Sequence, residues 1–226
     1  MLLQEVLVWR QIDHPSILPF DGVWRESDDS IPYLLTPWMA HGNAHSFAQA
    51  EHPGQVIDRL LIEVVEGLAY LHREEISHGD LTGVSIKISD GEYHARLCDF
   101  GLAILFKLPS SLLYCPSSSG GDQFGNIRWM APETHYPQLA KPSFETDIYQ
   151  FACVALELYT GQVPFPELRD IQVPSVVVSG ARPRYPGAGQ YGRTLPQTLW
   201  GVMEQCWEQT PSDRPTALDV LKMLQI

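Results

Sequence analysis

Between Thr146 and Gly161 the chain reads TDIYQFACVALELYTG, apolar on nearly every side of a helical wheel. Such a helix cannot lie on a surface and must be wrapped by other elements. Gly161 stands where a left-handed C-cap would close it. A second helix follows from Val56, Ile57, Leu60, Leu61, Val64, Val65, Leu68 and Leu71, an unbroken stripe at i, i+3/i+4 spacing. Asp58, Arg59, Glu63 and Glu66 fall mostly off that stripe, and the helix ends near His72. TLPQTLWGVMEQCW and TALDVLKML read as two more helices, the second started by Arg214-Pro215-Thr216.

The front of the chain is different. Leu2, Leu3, Val6, Leu7 and Trp9 keep helical spacing until Asp13-His14-Pro15, where Pro15 biases His14 away from helix. SILPFDGVW and IPYLLTPWM read as two strands around the polar turn RESDDS. Gly42-Asn43 marks a turn, with a short helix through AHSFAQAE. SIKIS and HARLC form a hairpin through Asp90-Gly91. Residues 108–126, rich in serine, proline and glycine, form a long loop, and such loops inside compact domains are usually functional or mobile. No internal repeat is present. The expected class is α+β, a little β in front and a helical bulk behind.

With 226 residues there is ample chain to bury a core, as one large domain or two lobes. Fifteen basic residues against 27 acidic give a net charge of −12, which disfavours nucleic acid or an anionic membrane as partner. Cys98, Cys115, Cys153 and Cys206 stand far apart with no CxxC pair, so neither a zinc site nor a disulfide framework is expected. MLLQEVLVWRQ lacks the basic start and apolar length of a signal peptide, and no stretch approaches the ~20 apolar residues of a membrane span. A cytoplasmic protein is expected, a nuclear one not excluded.

The segment SHGDLTGVSIKISD places Asp80 before one strand of the hairpin, and CDFG places Asp99 after the other. Carboxylates at the two ends of a hairpin can hold a metal and a substrate hydroxyl close together. The blocks EVLVWRQIDHPSILPF, GLAYLHREEISHGDL, ARLCDFGLA, GNIRWMAPE, ETDIYQFACVALELYTGQVPF and CWEQTPSDRPT occur in an order and spacing that resemble the eukaryotic protein kinase domain, in detail its tyrosine-kinase-like branch. The likeness covers nearly the whole chain. It implies a residual small lobe at 1–39, comprising a helix, two strands and a hinge at 36–39. A helical lobe would follow at 40–226, with catalytic loop 78–85, the DFG segment 99–101 and activation loop 99–133.

The resemblance further implies ATP and Mg²⁺ as cofactors and a protein as substrate or partner. Asp80 would be the catalytic base; Asp99 would bind Mg²⁺, with Ser85 at the second metal position. Thr36, Pro37 and Met39 would form the gatekeeper and hinge against the adenine, and Lys87 would lie beneath it. Glu133 would pair with Arg214 as a structural contact. Trp9, Phe20, His78 and Phe100 would stack as a column on the helix carrying Asp147.

Several positions depart from the family pattern. Glu5 matches the helix glutamate that pairs with a strand lysine, but that lysine and the glycine-rich loop would lie before Met1. The cluster GAGQYG near residue 190 is read as a loop. Thr82 replaces a lysine facing the transferring phosphate, and loss of such a charge typically costs ~10²–10³ in rate. Ser85 replaces an asparagine, Lys87 an apolar residue, Gly79 the arginine of His-Arg-Asp, and Asn126 a threonine. Ser110, Ser111 and Ser117 to Ser119 could be phosphorylated, yet Gly79 has no side chain to receive the charge. Three functions stay open: a pseudokinase acting as scaffold or allosteric module, an active kinase whose small-lobe residues are missing from this sequence, and a remnant with no biochemical role. The incomplete sheet would leave an open edge, so a dimer or aggregate is expected.

Overall fold

A computed structural model describes residues 2–27, 31–106, 126–136, 141–187 and 190–225. Seven helices and three two-stranded sheets are seen among them. In order they are α1 (Leu2–Trp9), β1 (Gly22–Trp24), β2 (Tyr33–Leu35), α2 (Ala44–Ala48), α3 (Gly54–Arg73), β3 (Ile76–Ser77), β4 (Ile86–Ile88), β5 (Ala95–Leu97), β6 (Ile104–Leu105), α4 (Phe144–Thr160), α5 (Val173–Val178), α6 (Gln197–Cys206) and α7 (Ala217–Leu224). The sheets pair β1 with β2, β3 with β6 and β4 with β5, all antiparallel. Ser110, Ser111, Cys115, Ser117 to Ser119 and, within the glycine cluster near residue 190, residues 188 and 189 lie outside the described residues.

Helix α4 is the axis. Every residue from Thr146 to Thr160 is buried, as an all-round apolar helix requires. Burying Ile148, Phe151, Val154 and Leu158 stabilises by roughly 1.5–3 kcal/mol each. Its start is fixed by a capping box: Ser143 Oγ accepts from the Thr146 N–H at 3.2 Å and Thr146 Oγ1 accepts from the Ser143 N–H at 2.9 Å. Its end is Gly161, at φ +69°, where a Cβ would stand 2.5 Å from the Tyr191 ring.

Helices α2, α3 and α6 pack around α4, and α7 packs on α3. The α3 stripe enters the core from Ile57 to Leu71, with Val56 partly buried beside it. Gly67 lets β5 cross close to α3, since a Cβ there would lie 2.8 Å from Leu97 Cδ1. The β4–β5 register, Ile86 with Leu97 and Ile88 with Ala95, brings Ser85 and Cys98 together at one end of the hairpin. The Cys98 N–H donates to the Ser85 carbonyl at 2.9 Å, extending that pairing toward Asp99. The strands at the front are shorter than the sequence suggests, three residues each. Pro19, Pro32 and Pro37 limit ladder formation there because proline has no N–H to donate.

Candidate functional site

Three polar side chains on α4 organise the segment that opens the site. Asp147, Gln150 and Glu157 are spaced i, i+3 and i+10, which places them on one face of a helix. Asp147 accepts from the N–H of His78 at 2.9 Å and of Gly79 at 2.8 Å, and meets His72 Nε2 at 2.9 Å. Gln150 Oε1 accepts from the Leu81 N–H at 3.0 Å. Glu157 Oε2 accepts from the Gly83 N–H at 3.0 Å and from Trp129 Nε1–H at 2.9 Å. Residues 78, 79, 81 and 83 thus hang in sequence from one buried helix. Buried polar groups on an apolar helix are tolerated only when so satisfied. Gly79 sits at φ +82°, and a Cβ there would meet the Leu102 carbonyl at 2.7 Å. The bend therefore needs a residue free to be left-handed.

Above this segment, the expected aromatic column forms. Trp9 lies 5.6 Å from Phe20 and 5.5 Å from Phe100, and Phe100 lies 5.3 Å from His78. His78 closes the stack through its N–H to Asp147. Trp9 Nε1–H donates to the Leu18 carbonyl at 2.6 Å, so the indole is anchored as well as packed. Asp99 heads the turn Phe100–Leu102 in the left-handed region, at φ 65° and ψ 61°. That twist sends Phe100 inward while Asp99 stays exposed.

Burial raises the Asp80 pKa above the usual carboxylate range, the Asn126 hydrogen bond and His78 oppose that rise, and the Asp99 charge adds to it. Asn126 Nδ2 donates to Asp80 Oδ1 at 2.7 Å. Glu5 lies on α1. Burial raises its pKa, and the Asp99 charge raises it further.

Thr82 and Ser85 are buried and turned toward each other. Ser85 Oγ accepts from the Thr82 N–H at 2.9 Å, and its one proton faces the carbonyls of Asp80 at 3.1 Å and Thr82 at 3.0 Å. The hydroxyl at the expected second metal position is therefore engaged inside the loop. Thr36 and Pro37 follow β2 directly and are half-buried, whereas Trp38 is 86% exposed. Met39 packs against the core and its carbonyl accepts from the Gly42 N–H at 3.1 Å. Asn43 bridges to Lys87, so this connection runs beside β4. Lys87 is half-buried, and its Nζ donates to the Val84 carbonyl at 3.0 Å.

On the far side, Arg214 grips Glu133 with two bonds, 2.7 and 2.8 Å, and donates also to the carbonyls of Glu145 and Glu208. Arg128 ties the segment after Asn126 to Asp170 at 2.7 Å and to the carbonyls of Pro164, Phe165 and Leu168. Sequence reasoning did not find Gln150, Glu157 or His45 as anchors, nor the bond from Asn126 to Asp80. The signal for the first two was present: polar residues inside an otherwise apolar helix must meet partners.

The chain matches the family described as protein tyrosine and serine/threonine kinase over residues 1–224. It is 29% identical over 228 residues to serine/threonine-protein kinase STY17 of Arabidopsis thaliana, an alignment that covers 98% of this chain and 36% of that protein. It is 29% identical over 225 residues to human receptor-interacting serine/threonine-protein kinase 1, covering 95% of this chain and 32% of that protein. Tyrosine-protein kinase FRK of Homo sapiens is 26% identical over 220 residues, covering 95% and 41%. The chain thus spans about a third of the length of the first two of these relatives.

Proposed function

We propose that this chain, which belongs to the protein tyrosine and serine/threonine kinase family, works as a kinase-shaped binding module of the tyrosine-kinase-like branch with impaired phosphoryl transfer. Residues 1–39 serve as a small lobe, 40–226 as the helical lobe, and the partner is a protein. Members of this family use ATP and Mg²⁺, and Asp80 as base with Asp99 as metal ligand would supply the carboxylates for that chemistry. The remaining donors fit the nucleotide poorly.

The observation that carries the reading is the closure of Ser85 within its own loop. Mg²⁺ is strict about octahedral oxygen geometry, and a hydroxyl already accepting from Thr82 and facing two carbonyls is not placed for it. The position that carries a phosphate-facing lysine in the family is the buried Thr82. Lys87, at the position that is apolar in the family, turns its ammonium to the Val84 carbonyl and would give a purine no apolar floor.

The test is a thermal shift of this chain with ATP and Mg²⁺. Ligand at a hundred times Kd would stabilise a competent site by about 2.7 kcal/mol, an obvious rise in Tm. We expect none. A clear Mg²⁺-dependent rise would favour the alternative, an active protein kinase completed by small-lobe residues outside this sequence. The assembled Trp9–Phe100–His78 column favours that second reading.

A further inference from the structure

Three segments far apart in sequence converge on one carboxylate. Glu157 is 1% exposed. Its oxygens meet the Gly83 N–H, the Trp129 indole N–H and, at 2.6 Å, Nδ1 of His45 on α2. The contact with residue 83 is close enough to specify glycine, because a Cβ would lie 2.6 Å from Glu157 Oε1. His45 is tied to the same loop a second time, through its backbone N–H to the Gly83 carbonyl at 3.0 Å.

We propose that His45 is a positioning residue: acting through the buried carboxylate of Glu157, it sets the placement of Gly83 and Trp129, and with them the loop 78–85 and the segment entering Ala131-Pro132-Glu133. Two of the three donors to Glu157 are a backbone amide and an indole, which keep their charge at any ordinary pH. The third is an imidazole whose side chain is 26% exposed and can exchange protons with water. When His45 is protonated the buried carboxylate has a counter-charge. When it is neutral, Glu157 keeps a buried negative charge held only by neutral donors, a costlier arrangement.

The surroundings leave Glu157 as the charged group that acts on this imidazole. Elsewhere on α4, Tyr159 is bonded to Asp58 of α3, and Cys153 interacts with Trp207. Strand β4 presents Lys87, turned to Val84. Arg193 lies against the end of α2, bonded to the carbonyls of Ala48 and Ala50. His41 and His52 flank Phe47, ring to ring at 6.3 and 3.7 Å, with Tyr93 5.1 Å from the same ring. On α2's own exit, the Gln49 amide nitrogen faces His45 Nε2 at 3.0 Å, a bond that suits the neutral ring carrying its proton on Nδ1. Protonation of Nε2 therefore also obliges the Gln49 amide to turn.

The hydrogen bond to Glu157 raises the His45 pKa, burial opposes the rise, and the Glu157 charge adds to it. A raised folded-state value means that the pair's contribution to stability is complete below the ordinary histidine value of about 6.5 and is lost as pH rises through the folded midpoint. The inference deepens the reading of residues 78–85 as the loop presenting Asp80, and it is tested without phosphoryl transfer, so the two can fail separately.

The experiment is an NMR titration of the whole chain from about pH 5 to 9, following the His45 ring, the Gly83 amide and the Trp129 indole proton. Expected are a His45 midpoint above 6.5, with Gly83 and Trp129 following the same curve. Gln49→Glu, at an exposed position, should move that midpoint higher. His45→Gln should leave Gly83 and Trp129 without the transition. Glu157→Gln, if it folds, should return His45 to its ordinary range or below; if it does not, the other two variants decide. Flat Gly83 and Trp129 signals while His45 titrates, or a transition surviving in His45→Gln, would overturn the proposal.

Discussion

Arg214 shows how much a single residue can hold. Its guanidinium is fully buried, bidentate on Glu133, and shares further protons with two backbone carbonyls from different segments. Replacing one partner of a buried pair leaves the other uncompensated, at a cost of about 3–5 kcal/mol. Arg214→Met, which also strips the Glu145 and Glu208 carbonyls of their donor, should therefore lose about that much in urea denaturation. Glu133→Gln keeps an acceptor, and Glu133 is partly exposed, so it should lose clearly less. Equal losses would mean that the ion pair, not the set of carbonyl contacts, dominates. The pairing itself was legible from APE and SDRPT, because the family resemblance supplied the partner. The Asn126 bond to Asp80 was not, since 46 residues separate the two and a neutral amide carries no sign of its acceptor.

At the scale of elements, periodicity served the helices well. The α3 stripe buried as its spacing implied, and α4 ends at Gly161 as expected. The start of α4 shows the limit. The apolar run suggests a beginning near Thr146, but the helix starts at Phe144 because Ser143 caps it with Thr146 as the reciprocal partner. Threonine at that third position is not the glutamate or glutamine that usually signals a capping box. Ser143→Ala should cost about 1 kcal/mol, read as a fall in the urea midpoint with an unchanged m-value. An unchanged midpoint would show that tertiary packing, rather than the cap, holds the first turn. Gly83 belongs to the same lesson. Its need for glycine comes from a carboxylate 74 residues later, which no local pattern announces.

Over the whole molecule, burial is uneven. The helical part encloses α4 completely, whereas β1 and β2 form a two-stranded sheet with Trp24 50% and Tyr33 58% exposed, near Trp38 at 86%. Two strands with open edges and apolar side chains invite pairing with another copy. This chain is expected to dimerise or aggregate, with a concentration-dependent shift in size-exclusion chromatography that Tyr33→Lys together with Leu35→Lys reduces. A monodisperse monomer at all concentrations would refute this. No helix among the described residues is long and apolar enough to cross a membrane. By itself, the sequence determined every helix but α5, the β4–β5 hairpin and the order of blocks that marks the family, because periodicity, turn chemistry and motif spacing are local and survive in one dimension. Only the tertiary structure decided that Ser85 bonds within its loop, that Lys87 turns to Val84, and that His45, Gly83 and Trp129 share one carboxylate. A hydrogen bond between distant residues depends on where the packed helices place each donor, and that placement is a property of the assembled core.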